Sequence, residues 1–131
     1  MDYKFPAYLK YTKTHEWVKL ESNIAIVGIT DYAQHQLGDV VFIELPEIGI
    51  DVKKEATIGE IESVKAVGEL IMPLSGKIFE INQNLIDRPE LLNTSPFNDG
   101  WIVKIKYSNS DEISNLLSVD EYKVLVKNEE K

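Results

Sequence analysis

The chain has 131 residues, 44% hydrophobic and 27% charged, the balance of a water-soluble globular fold with a real core and a length that suits one domain. A formal charge of −8 argues against a nucleic-acid surface, which needs clustered Lys and Arg to neutralise phosphates, so no nucleic-acid partner is expected, and it suits docking onto basic patches of other proteins. Cysteine is absent, which removes disulfides, thiolate nucleophiles, Cys-ligated zinc and iron–sulfur clusters together, so redox or thioester chemistry here must be imported on a cofactor.

The opening "MDYKFPAYLKYTKTHEW" has neither signal-peptide architecture nor an Arg-rich amphipathic presequence. No apolar run approaches the roughly 20 residues that span a bilayer. The expected location is the cytoplasm, or the mitochondrial matrix for a processed organelle protein, with no membrane partner. Residues 16 to 30, "EWVKLESNIAIVGIT", read as two strands about a Ser22-Asn23 turn. In "TDYAQHQLGD", Thr30 is placed as an N-cap and Gly38 as a stop, predicting a helix of two turns at most. "VVFIELP" is a strand ended by Pro46. Residues 49 to 82 form a strand-rich block with apolar positions at Val52, Ile58, Ile61, Val64, Leu70, Met72, Ile78 and Ile81. "DRPELLNTSP" predicts a helical turn that opens at Pro89 with Leu91 and Leu92 inward. "GWIVKIKY" alternates as a strand with Trp101, Val103 and Ile105 on one face, and residues 110 to 127 read as helix, with Ser118 and Glu121 as a capping box. The final "KNEEK" is expected to fray. These elements predict one mostly β domain over 1–131, its core about 10–107 and its C-terminal helical segment about 110–127.

Chemistry-bearing constellations are few. His15 and His35 lack a second ligand at a helical or hairpin offset, so no metal site is expected. Ser75 in "PLSGK" reads as a turn residue rather than a nucleophile, and Glu60 with Glu62 as a solvated strand face. No catalytic constellation emerges. Lys65 in "GEIESVKAVGEL" stands apart, because "ATIGEIES" and "GELIMPLS" read as hairpin arms with this lysine at the tip, beside the small residues Ser63, Ala66 and Gly68. An ε-amine held there is presentable to a modifying enzyme. The residues alone leave two readings open, an attachment site and a plain solvated turn.

"ESVKA" followed by "PLSG" resembles the lipoyl-attachment signature of the glycine cleavage H-protein family. "KYTKTHEWV", "VGITDYAQHQLGDVVFIELPEIG", "SPFNDGWIVKIK" and "LLSVDEY" resemble further blocks of that family in the same order, so the likeness covers nearly the whole chain. Related biotinyl and lipoyl modules share the lysine hairpin but not the flanking blocks. The resemblance implies a barrel-sandwich hybrid of the lipoyl/biotinyl-domain type with short peripheral helices and a C-terminal helix, working as a monomeric, non-catalytic carrier.

It implies further that lipoate is joined to Lys65 as an amide, a swinging arm on the order of 10 Å or more from covalent bond lengths alone. In the family, glycine decarboxylase loads an aminomethyl group onto the arm, an aminomethyltransferase passes the carbon to tetrahydrofolate, and dihydrolipoyl dehydrogenase reoxidises the dithiol. A lipoate ligase or lipoyl transferase attaches the cofactor, reading Glu62, Ser63, Val64 and Ala66 beside the lysine. Carried over by position, Glu16, Glu69, Thr14 and Ile29 line the cleft that receives the loaded arm. Three positions depart from the usual pattern: Glu69 where Asp is common, Gln36 where some members have His, and Glu55 in place of a turn glycine, which predicts a turn at 53 to 56 that either differs from the usual one or is strained. "AVGELIMP" is also more apolar than usual. The alternatives are a lipoyl donor or relay serving other lipoate-dependent complexes, and an unmodified metal- or peptide-binding β-module.

Overall fold

The structure, a computed structural model, describes residues 2–130. In chain order its strands and helices are β1 (Lys10–Tyr11), β2 (Glu16–Glu21), β3 (Ile24–Ile29), α1 (Asp31–Leu37), β4 (Val40–Glu44), β5 (Asp51–Val52), β6 (Thr57–Ser63) and β7 (Val67–Ile71). They continue with β8 (Gly76–Ile81), α2 (Asn84–Asp87), α3 (Leu91–Thr94), β9 (Val103–Tyr107), a 3₁₀ turn (Ser110–Asn115) and α4 (Val119–Glu129). All pairing is antiparallel, in a six-stranded sheet of order β1-β2-β3-β9-β8-β5 and a three-stranded sheet of order β4-β6-β7.

Alternation within the strands builds the core between the two sheets. Val18, Ala25 and Val27 from one side meet Ile43, Ile61 and Leu70 from the other, joined by Ile78, Val103 and Ile105. A second cluster lies under α4, where Tyr122 stacks on Tyr11 with ring centroids 4.5 Å apart and Val126 packs beside Tyr32 and Trp17. Offset aromatic stacking of this kind adds to the burial term, so the C-terminal helix is fastened to the sheet rather than loosely appended.

The helix signals behave as their chemistry requires. The Thr30 hydroxyl accepts from the Ala33 amide, Gly38 ends α1 at φ +80°, and the Ser118–Glu121 capping box is complete. Several expectations are corrected. Val64 is not an inward strand position: β6 ends at Ser63, and Val64 lies in the turn, 69% exposed. Pro89 precedes α3 instead of opening it, while a further one-turn helix, α2, stands before it. Trp101 precedes β9 and is half-buried, with only Val103 and Ile105 as inward strand residues.

The helical segment at 110 to 127 is broken. Leu117 bonds to Tyr11 through both backbone groups at 2.7 and 2.9 Å, which requires extended geometry between the 3₁₀ turn and α4. The chain end does not fray through "KNEE", because α4 runs to Glu129; Lys131 lies outside the described residues.

The strained turn at 53 to 56 is present: Glu55 sits at φ +74° with its amide donating to the Met72 carbonyl at 2.8 Å. A side chain in this left-handed region costs about 1 kcal/mol, part of which glycine gives back through its freer unfolded chain. Glu55→Gly is therefore expected to gain roughly 0.5 kcal/mol and Glu55→Val to lose stability, read from urea midpoints at constant m-value.

Candidate functional site

The β6–β7 hairpin closes over Val64 and Lys65. Ser63 donates its amide to the Ala66 carbonyl at 2.8 Å, while its hydroxyl oxygen accepts from the Lys65 amide at 3.2 Å and the Ala66 amide at 3.0 Å. The Val64 amide donates to the Asp39 carbonyl at 3.0 Å, tying the tip to the loop after α1. The backbone of the tip is thus held at four points while the side chain at its apex stays outside. Lys65 is exposed, and its Nζ has no hydrogen bond or ion pair among the described residues.

Its stem lies over Gly38, where an added Cβ would meet Lys65 Cε at 3.2 Å. Gly38 therefore serves twice, as the left-handed stop of α1 and as clearance for the lysine stem. Of the flanking residues singled out in the sequence, Glu62, Val64 and Ala66 are exposed, while Ser63 is half-buried and shapes the turn.

Beside the hairpin, a cleft of about 340 Å³ opens between the free edge of β7, the start of β2 and helix α1. Thr14, Glu16, Ile29 and Glu69 all line it, together with His15, Tyr32, Gln36, Leu37, Ile61, Gly68 and Glu129. Residues drawn from positions 14 to 69 are gathered by the pairing of Glu16 with Ile29 across β2 and β3 and by the β6–β7 ladder. Gly68 leaves room for Leu37, whose Cδ2 would come within 3.1 Å of an added Cβ, so the cleft floor stays low next to the hairpin.

The two carboxylates differ in environment. Glu69 is exposed at the rim and accepts from the Thr57 hydroxyl at 2.9 Å. Glu16 is 1% exposed and accepts from the Thr12 hydroxyl at 2.6 Å, the Thr14 hydroxyl at 2.5 Å and, more weakly, the Ile71 amide at 3.4 Å. Burial pushes its pKa up to about 7, against the downward pull of those three donors. A carboxyl so raised keeps its proton to a higher pH than an exposed one, and a cation beside it draws it toward the carboxylate.

Outward from the cleft, Glu44, Glu60 and Glu69 stand directly opposite one another across β4, β6 and β7. Like charges so placed are unfavourable to the fold, and they give the face below Lys65 a strongly acidic character.

The sequence reading missed His15, Tyr32 and Glu129. The signal for Glu129 was available, because Tyr122, Val126 and Glu129 fall at i, i+4 and i+7 and share one face of α4. No local pattern signals that His15, 114 residues away, would meet it at 3.0 Å.

Two antiparallel sheets around one core, with a lysine lifted on a tight two-strand turn, define a barrel-sandwich hybrid of the lipoyl-domain type. A model of the glycine cleavage H-protein family matches residues 9–129. The glycine cleavage system H protein of Staphylococcus epidermidis is 50% identical over 121 residues, spanning 92% of this chain and 96% of that protein. That of Symbiobacterium thermophilum is 52% identical over 122 residues, spanning 93% and 95%. The crystal structure of a glycine cleavage system H protein from Mycobacterium marinum matches with a TM-score of 0.81 at 35% identity, over 91% of this chain and 96% of that one. The chain belongs to the glycine cleavage H-protein family.

The buried acid sets a pH dependence. A carboxyl whose folded pKa lies near 7 instead of 4.5 binds its proton more tightly when folded, so its contribution is complete below pH 4.5 and is lost as pH rises through 7. The loss amounts to about 3 kcal/mol. Glu16→Gln removes this term: urea unfolding across pH 4.5 to 8 is expected to show a flatter stability profile in the variant, the two chains diverging most at the alkaline end.

Proposed function

We propose that this chain is the lipoyl-bearing shuttle of a glycine cleavage system, with lipoate attached to Lys65 and no catalysis of its own. The observation that carries the proposal is the free, exposed ε-amine of Lys65 on a hairpin tip whose backbone is pinned on both sides, one strand from a cleft with a buried acid. The whole chain acts as one carrier domain, as family membership across residues 9–129 suggests. When bound, the lipoyl group supplies the disulfide that a cysteine-free chain lacks and accepts the aminomethyl group derived from glycine.

The protein's own residues do the rest. The rigid tip fixes where the arm begins, so the arm sweeps a limited volume and its end stays concentrated near the cleft and near any docked enzyme. Glu62, Val64 and Ala66 are the side chains an attaching enzyme meets around the lysine, and Ser63 keeps the turn in the shape that is read. The cleft accepts a cationic end group: Glu16, dry and held by two threonine hydroxyls, gives up its proton to solvent as the cation arrives, and Glu69 adds a second carboxylate at the rim. Each charged hydrogen bond formed there is worth about 1.5 to 3 kcal/mol when water is excluded. Ile29 and Ile61 give the uncharged part of the arm an apolar wall.

Partners are the glycine decarboxylase, the aminomethyltransferase and the dihydrolipoyl dehydrogenase of the system, along with the lipoate-attaching enzyme. The acidic row at Glu44, Glu60 and Glu69 suits basic docking surfaces on such proteins and raises encounter rates at low salt. Among the described residues no helix is long and apolar enough to cross a membrane. A cytoplasmic location is the natural reading for such a shuttle.

Lys65→Arg keeps the charge but cannot form the lipoyl amide. In a system reconstituted from the other components, glycine-dependent release of carbon dioxide is expected to fall to background with this variant, while its urea midpoint stays that of the parent, since an exposed, unpaired side chain is exchanged.

A further inference from the structure

Two local irregularities of the chain converge on one contact at the cleft. His15 is not a glycine, yet it holds φ +73°, a conformation that ordinary side chains rarely adopt. Glu129 is an acid in the last turn of α4, where the helix dipole disfavours negative charge. The two meet at 3.0 Å through His15 Nε2 and Glu129 Oε1, and both line the cleft that holds Glu16 and Glu69. Unfavourable local choices on both sides of a single contact, at the edge of a binding cleft, are a mark of function.

The contact is not free to wander. His15 Nδ1 lies 2.8 Å from the Tyr122 hydroxyl, which lies 2.7 Å from the Thr30 hydroxyl, and Thr30 already accepts from the Ala33 amide. With Nε2–H donating to the Glu129 carboxylate, a neutral imidazole leaves Nδ1 to accept from Tyr122 O–H. Tyr122 oxygen then accepts from Thr30 O–H. Every donor in the row is used, and the tautomer is fixed by its neighbours. Tyr122 is wholly buried and stacked on Tyr11, and Phe5 lies edge-on to it with centroids 5.8 Å apart, so the row is anchored in the aromatic cluster. Glu129 Oε1 is thereby placed from the core outward; the Tyr32 hydroxyl is a further partner of this carboxylate, and both side chains line the cleft.

We propose that Glu129 is a further binding residue of this cleft, a third carboxylate aimed by His15 at the ammonium end of the loaded arm. The inference rests on the cleft reading given above and deepens it: the C-terminal helix is a working wall of the site, and His15 is its positioning residue.

Two measurements test it. In the unmodified chain, n-butylammonium stands in for the cationic end of the arm, and side-chain carboxyl carbons are followed by NMR. Glu16, Glu69 and Glu129 are expected to shift along one binding curve. Glu129→Gln should weaken that binding roughly threefold to tenfold, the range for a partly exposed charged contact. His15→Asn, which tolerates the left-handed backbone but cannot reach Glu129, should weaken it by a similar factor, and the double variant no further.

In the lipoylated protein, the arm is first reduced to the dithiol with a phosphine, and one thiol is loaded from formaldehyde and ammonium with loss of water. Hydrolysis then returns the methylene as formaldehyde and the amine as ammonia, restoring the thiol. Glu129→Gln should speed that release by the same factor, with intact mass showing the lipoyl load and thermal melting the fold. If Glu16→Gln weakens binding and speeds release while Glu129→Gln does neither, the proposal is overturned and the cleft reading survives. If neither substitution changes either quantity, both fall together.

Discussion

The antiparallel pairing of β6 with β7 does two jobs that pull in opposite directions. Its inward residues, Ile61 and Leu70, are committed to the core, 1% and 0% exposed, so the ladder cannot shift register without turning them to water. That rigidity is carried to a turn whose apex side chain is left exposed and without a polar partner among the described residues. Ser63 reconciles the two by satisfying the turn's amides with its own hydroxyl, so Lys65 contributes backbone to the turn and no polar side-chain contact. A lysine drawn into an ion pair would have been worth at most about 1 kcal/mol at such an exposed site. Little stability is forgone by leaving the amine free.

The same ladder ends the three-stranded sheet at β7, and the free edge of β7 is where the cleft begins. Burying Glu16 there carries a desolvation cost, while the exposed acids Glu44, Glu60 and Glu69 repel one another only weakly across solvent. Desolvation therefore decides the behaviour of the site. An acid balanced near neutrality is a poor structural element and a good receiver for a cation, since a positive charge converts the desolvation penalty into attraction. Under the carrier role proposed above, such a cleft would hold a charged cargo and let go of the arm once the charge has left.

Much of this was legible in the sequence because it rests on short-range chemistry. The Thr30 cap, the Gly38 stop, the Ser118 capping box and the β-branched run of β3 act within a few residues of themselves, and each stands where its pattern put it. Resemblance located Thr14, Glu16, Ile29 and Glu69, and the fold brings all four to one cleft. What escaped was set by long-range pairing. Leu117 looked helical by its neighbours, but its bonds to Tyr11 override propensity. Val64 looked like a strand residue until the turn fixed where the ladder stops. Glu129 sat in a polar tail that reads as fraying; its spacing from Tyr122 and Val126 marks its helix face, but its partner, a residue near the other end of the chain, is set by packing alone.

The central claim is that one nitrogen among thirteen lysines is built to be acylated. Peptide-level mass spectrometry of the chain co-expressed with a lipoate ligase tests this most directly. The account predicts a lipoyl increment confined to the peptide that contains Lys65. An increment on a different lysine, or an unmodified Lys65 beside a ligase that modifies a known acceptor in the same cells, would contradict it.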